Sequence, residues 1–222
     1  MNRFLQDSEG STLVEFTLVF PLFMLVAFGT VDFTYMLFEW DMANKAAYIG
    51  ARTAVVSNPV ASGITNPTLT AAQIAQLGQT CFIVASGAAD TNVNCPTTGK
   101  IDCTPAASAG PSDSCGSYTF DNTAFTAILT KMQTVFPRLR RQNVQISYQT
   151  NGLGFMGRPS SLGGLPMDVT VSIRCMTHQF FFLSALMGWA FPALPAGCPA
   201  APAGPAIPAF ATTLPSEDMV TN

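Results

Sequence analysis

The sequence predicts an α+β protein in which a long N-terminal membrane helix, kinked near Pro21, carries a small disulfide-stapled domain with a second helix and a short antiparallel sheet. Three observations predict it. An apolar stretch from Leu13 to Val31 passes without a break into an amphipathic pattern; two later segments alternate apolar and polar residues; and all six cysteines lie beyond the apolar stretch.

The helix is expected from Ser11 to about Val56, roughly 69 Å long at about 1.5 Å per residue. Its first half is long enough to span a bilayer, for which about 20 apolar residues suffice. Pro21 removes one hydrogen bond from the ladder and is expected to kink or loosen the helix, which membrane helices tolerate when the freed groups find partners. After Asp32, the residues Phe38, Met42, Ala46, Ile49, Thr53 and Val56 recur at helical spacing, with Glu39, Asp41, Lys45 and Arg52 among them. Ala43, Ala46, Ala47, Gly50, Ala51 and Ala54 are small enough to let another backbone approach closely, whether helix or sheet.

Asn58-Pro59 ends this helix. A short helix is expected over Thr70 to Leu77, stopped by Gly78. Ala85 to Ser117 is rich in Gly, Pro, Ser, Thr and Cys and needs stapling. A second helix is expected from Asn122 or Thr123 to Phe136, with Asp121 or Asn122 as its cap, an apolar face of Phe125, Ile128, Leu129, Met132 and Phe136, and Pro137 as its stop. Val144, Ile146 and Tyr148, and then Val169, Val171 and Ile173, alternate with polar residues and predict two antiparallel strands. The run Phe180 to Phe191 is too short to span a membrane and reads either as core or as a surface docking on the bilayer or a partner. Ala193 to Ala211, dense in Pro and Ala, predicts an extended tail.

With 222 residues and 48% hydrophobic content, the chain can bury one core besides a membrane helix. Charged residues make up only 10% and the net charge is −3, which leaves no electrostatic case for a nucleic-acid partner. The charges are segregated: Lys131, Arg138, Arg140, Arg141, Arg158 and Arg174 face only Asp168 between Thr123 and Ser216, whereas Asp90, Asp102, Asp113 and Asp121 precede them with Lys100. Such patches read either as solvated loops or as surfaces that orient subunits. Cys81, Cys95, Cys103, Cys115, Cys175 and Cys198 allow up to three disulfides, in an oxidising compartment. Nearness in sequence favours Cys175 with Cys198 and leaves the other four to pair among themselves. The bulk of the protein is thus expected outside the cytoplasm.

Glu15 sits inside the apolar stretch. A charged side chain within a bilayer costs roughly 2.5–3.5 kcal/mol on insertion scales, so it calls for a partner. No Lys or Arg follows until Lys45. A free α-amino group at Ser11, with a pKa of about 7.7–8.0, would supply the charge if the chain were cut after Gly10. The bland alternative is an uncleaved anchor whose Glu15 snorkels to the interface.

The strings Gly10-Ser11-Thr12-Leu13-Val14-Glu15-Phe16-Thr17-Leu18-Val19-Phe20-Pro21-Leu22, Phe28-Gly29-Thr30-Val31-Asp32-Phe33 and Asn44-Lys45-Ala46-Ala47-Tyr48-Ile49-Gly50-Ala51-Arg52 resemble the start of a TadE-like protein, a minor pilin or pseudopilin of the Tad (Flp-type, type IV-like) pilus system. The tail Thr212 to Met219 resembles the family more loosely. The resemblance implies a structural and assembly role rather than an enzyme. It also implies cleavage after Gly10 by a prepilin peptidase, Ser11 as the new N-terminus, and Glu15 as the carboxylate that meets the amine of a neighbouring subunit. Asp32 reads as a second assembly contact or as a mark of the membrane interface. The implied partners are other pilin or pseudopilin subunits, the pilus assembly platform, the peptidase and membrane lipid, with no cofactor or metal. The helix plus meander is pilin-like in outline.

On this reading, residues 1–10 are a prepilin-type leader, 11–36 the transmembrane and 37–57 the amphipathic half of the long helix, 58–192 a periplasmic domain, and 193–222 a Pro/Ala-rich tail. The protein is a single-pass inner (cytoplasmic) membrane protein with a cytoplasmic N-terminus and a periplasmic or extracellular C-terminal domain, entering the pilus or lying beneath it. The leader sets Arg3 and the initiator amine against Asp7 and Glu9, so it lacks a positive excess, and orientation rests on the cysteines. The rival function is an uncleaved, membrane-anchored periplasmic binding domain.

Four signals resemble chemistry without supporting it. Gly152-Leu153-Gly154-Phe155-Met156-Gly157 matches a dinucleotide fingerprint, but Arg158-Pro159-Ser160-Ser161 follows it where a helix is needed. Cys175-x-x-His178 lacks the second ligand pair of a structural zinc site. His178 is the only histidine, and no carboxylate near it in sequence could orient it for catalysis, so a surface or packing role is expected. Arg138, Arg140 and Arg141 read as a solvated face or a grip for phosphate or lipid headgroups.

Overall fold

The 47-residue helix α1 (Ser8–Ala54) carries two different surfaces along its length. The structure, a computed structural model, describes residues 8–64, 100–150, 167–183, 198 and 206–216. The expected helix at Thr70 to Leu77, Cys81 and Cys95, the glycine-rich loop at 152–157 and most of the run beyond Leu183 lie outside them. α1 continues through Pro21 as one helix. The proline cannot bond the carbonyl one turn back, that of Thr17, whose own hydroxyl donates to the carbonyls of Leu13 and Val14, each at 2.9 Å.

From Leu13 to Phe38 the large apolar side chains of α1 are mostly exposed. From Ala43 onward one face is buried, and it is the stripe of Ala43, Ala46, Ala47, Gly50, Ala51 and Ala54. The larger periodic residues do not form that face: Phe38 and Val56 are exposed, and Met42 and Ile49 are half-buried. Close packing decides this, because a Cβ on Gly50 would lie 2.6 Å from Met132 Sδ.

Helix α2 (Asn122–Gln133) packs on that stripe. Asp121 caps it, accepting from the N–H groups of Thr123 at 2.8 Å and Ala124 at 3.1 Å. Its buried face is Ala124, Phe125, Ile128, Leu129 and Met132.

The strands are β1 (Ala61–Ser62), β2 (Ile101–Cys103), β3 (Thr119–Phe120), β4 (Val144–Thr150), β5 (Met167–Ile173), β6 (Met176–Thr177), β7 (Ala206–Ile207) and β8 (Phe210–Pro215). The main sheet has the order β2-β4-β5-β8, with every neighbour antiparallel. Ile146 opposes Val171 and Tyr148 opposes Val169, so the predicted apolar sets share one face, turned to α1. β4 and β5 are antiparallel neighbours, not the parallel pair of a βαβ unit.

Strand β8 corrects the reading of the C-terminal segment as tail alone. Residues 210–215 are an edge strand paired along β5, with Phe210 buried and Thr212 and Leu214 half-buried, a period of two that the surrounding prolines obscure. Among the described residues, the disulfides Cys103–Cys115 and Cys175–Cys198 staple the domain.

Candidate functional site

The N-terminal half of α1 is an exposed apolar rod. Its apolar stretch has a mean hydropathy of 2.0 and only 6% of it is buried, unlike the core helix of a soluble protein. Gly10 and Ser11 lie within α1. Glu15 is exposed on the rod, between Val14 (57% exposed) and Phe16 (63%), and no cation lies against it among the described residues.

Where the rod meets the domain, two carboxylates do the joining. Asp32 and Glu39 are seven residues apart, about two helical turns, and so point the same way. Asp32 is fully buried. Its Oδ1 accepts from Phe181 N at 3.1 Å, and its Oδ2 accepts from Phe182 N and Leu183 N, both at 2.9 Å. Three consecutive backbone donors are thereby satisfied by one side chain. Asp32 is therefore engaged within its own chain, a use that neither expectation for it covered.

Glu39, 3% exposed, accepts from Arg138 through Oε1 and lies 2.6 Å from His178 Nδ1 through Oε2. No carboxylate near His178 in sequence orients it; the one that does, Glu39, lies 139 positions earlier. Burial and the nearby Arg138 charge push the His178 imidazolium below its ordinary range, against the pull of Asp32. The ring is therefore neutral, with Nδ1–H donating to Glu39; Nε2 is buried and meets no hydrogen-bond partner among the described residues. Among the described residues no nucleophile lies on Nε2, so the pair orients a ring without forming a triad with them.

The arginines are also spoken for. Arg138 holds Glu39, while Arg141 bonds Asp113 at 2.6 Å and Asn122 at 2.6 Å and lies over the rings of Phe120 and Phe125. Burial would push the Asp113 carboxyl up, but hydrogen bonds from Ala106 and Gly110 and the Arg141 charge hold it below the usual range. Arg141 and Asp113 thus cancel part of the charge segregation inside the fold, where the sequence pointed to a solvated face. Arg138, Arg140 and Arg141 still line an open cleft with Asn143 and Thr177.

Cys175 is joined to Cys198, which removes it as a zinc ligand, and no group of three His, Cys, Asp or Glu gathers for a metal among the described residues. Cys175 has a left-handed φ of 60°, held by the disulfide and by Asn143 Nδ2 donating to its carbonyl at 3.0 Å.

Sequence reasoning singled out Glu15 and Asp32 but passed over Glu39. Its signal was the two-turn spacing of Asp32 and Glu39 on one side of a helix otherwise apolar or small there.

Residues 10–52 match the family model described as TadE-like protein. The match spans the exposed rod and most of the buried stripe and ends before the domain; the loosely similar tail falls outside it. Neither curated proteins nor solved structures yield a match.

Proposed function

We propose that this chain, TadE-like over residues 10–52, is a minor pilin or pseudopilin that takes part in Tad pilus biogenesis. The family match supports a pilus-associated, structural protein. The finer reading is that a prepilin peptidase cuts after Gly10, that α1 holds the protein in the inner membrane with its domain outside the cytoplasm, and that assembly on the pilus platform draws it against other subunits.

The observation that carries this is Glu15, a carboxylate exposed on an apolar rod with no cation beside it among the described residues. Lipid penalises it by roughly 2.5–3.5 kcal/mol, and a protonated Ser11 amine of a sister subunit offsets that penalty at the subunit contact. Poor screening in lipid strengthens the pair. The two disulfides support an oxidising location for the domain.

Glu15→Ala tests the reading. The variant remains in the membrane fraction, and pili disappear from the cell surface. Normal piliation with Glu15→Ala removes this carboxylate from assembly.

A further inference from the structure

We propose that Phe181 and Phe182 form an aromatic wedge seated in the lipid leaflet on the domain's side of the membrane, so that the domain rides partly sunk in the bilayer. The inference rests on reading α1 as a membrane helix and adds to it a second, non-helical contact with lipid.

Depth is the first argument. Leu13 to Val31 rises roughly 28 Å at about 1.5 Å per residue, close to the ~30 Å of a hydrocarbon core. Asp32 therefore stands at the outer boundary, and Phe28 lies one turn inside it. Phe182 stacks on Phe28 with ring centroids 4.5 Å apart, which places Phe182 below the boundary as well. Phe181 meets Tyr35 edge-on at 5.7 Å, at the level of the boundary itself.

Exposure is the second. Phe181 is 70% and Phe182 53% exposed, whereas among the described residues beyond Val56 no other large apolar side chain is exposed. Their exposed faces continue the apolar surface of Phe28 and Val31, which are themselves exposed. Whatever solvates that part of α1 solvates the wedge, and for a membrane helix it is lipid.

The third argument is polar accounting. Irregular backbone at membrane depth is tolerated only when its hydrogen-bonding groups are satisfied by protein. Asp32 takes the N–H groups of Phe181, Phe182 and Leu183 together, while its own carboxylate is withdrawn completely from the surface. A water-facing loop needs no such device. Tyr35, exposed one turn beyond Asp32, adds an aromatic side chain of the kind expected where lipid meets water.

The test uses the full chain in phosphatidylcholine nanodiscs, in a Trp40→Phe, Trp189→Phe background, with one tryptophan reporter at a time: Phe182→Trp, Phe181→Trp, or Leu22→Trp at the middle of the span. Lipids brominated high on the acyl chain are expected to quench most of the emission at 182 and 181, and lipids brominated at the chain ends to quench 22. If 22 is quenched while 181 and 182 keep their full emission, the wedge is overturned and the membrane helix stands. If 22 is not quenched either, the membrane reading falls and the wedge with it. Burial of 181 and 182 that depends on protein concentration rather than on bromine assigns the surface to a second copy and also overturns the proposal. Two reporters are used because either substitution could disturb packing; circular dichroism and intact disulfides identify the one that folds, and that one decides.

Discussion

Glu39 Oε2 lies 2.6 Å from His178 Nδ1 in a site where both side chains are almost wholly buried, tying the long helix to the segment that follows β6. Glu39→Ala leaves the His178 donor without its acceptor and Arg138 without its anion. A buried group stripped of its partner costs about 1–3 kcal/mol. The midpoint of thermal unfolding is expected to fall by several degrees, and Glu39→Gln, which keeps an acceptor, by less. Equal losses in the two variants would show that charge, not hydrogen bonding, holds the junction.

Burial of His178, with the Arg138 charge nearby, makes stability depend on pH. The imidazolium pKa is lowered in the fold, so below about pH 6.5 the unfolded chain takes up a proton that the folded chain refuses. Stability from this group is complete above that pH and declines as the pH falls through it, by at most about 1.4 kcal/mol per pH unit. Denaturant melts of the wild type and His178→Gln between neutral and mildly acid pH check the sign: the variant loses that part of the slope. A wild type that gains stability on acidification in this window would reverse the assignment.

Gly50 allows α1 and α2 to touch. Its missing Cβ would lie 2.6 Å from Met132 Sδ and 2.9 Å from its Cγ. Gly50→Ala gains about 1 kcal/mol of helix propensity but overpacks the contact by roughly 1–3 kcal/mol, so the net change runs from about zero to a loss of about 2 kcal/mol. Gly50→Leu loses more, and pairing Gly50→Ala with Met132→Ala relieves the clash at the cost of a cavity. Calorimetry of the three variants orders them.

The Cys175–Cys198 bridge anchors the chain that returns to form β7 and β8. Replacing both cysteines by serine is expected to destabilise the domain by roughly 2–4 kcal/mol. Amide exchange in β8 should rise more than in β4, because β8 is the edge strand.

Local periodicity made much of this fold legible beforehand. α2 with its Asp121 cap, the alternation of β4 and β5, and the extent of α1 are all properties of consecutive residues. β8 was hidden because its period-two pattern begins within a segment dense in Pro and Ala, a composition that reads as extended tail. The stripe of Ala43, Ala46, Ala47, Gly50, Ala51 and Ala54 was legible as a close-approach face and is the buried one, whereas the larger periodic residues Phe38 and Val56 stay exposed. Glu39 with His178, Arg138 with Glu39, and Asp32 with residues 181–183 join positions about a hundred or more apart, and no local pattern announces such pairs. Glu15 was legible for the opposite reason: a single carboxylate in an apolar run stands out without any tertiary contact.

The central claim is that a new terminus at Ser11 meets the carboxylate of Glu15 on a sister chain. Intact mass of the protein taken from its own piliated cells tests it most directly. The account predicts a chain that begins at Ser11; a chain still carrying Met1 in cells that bear normal pili would contradict it.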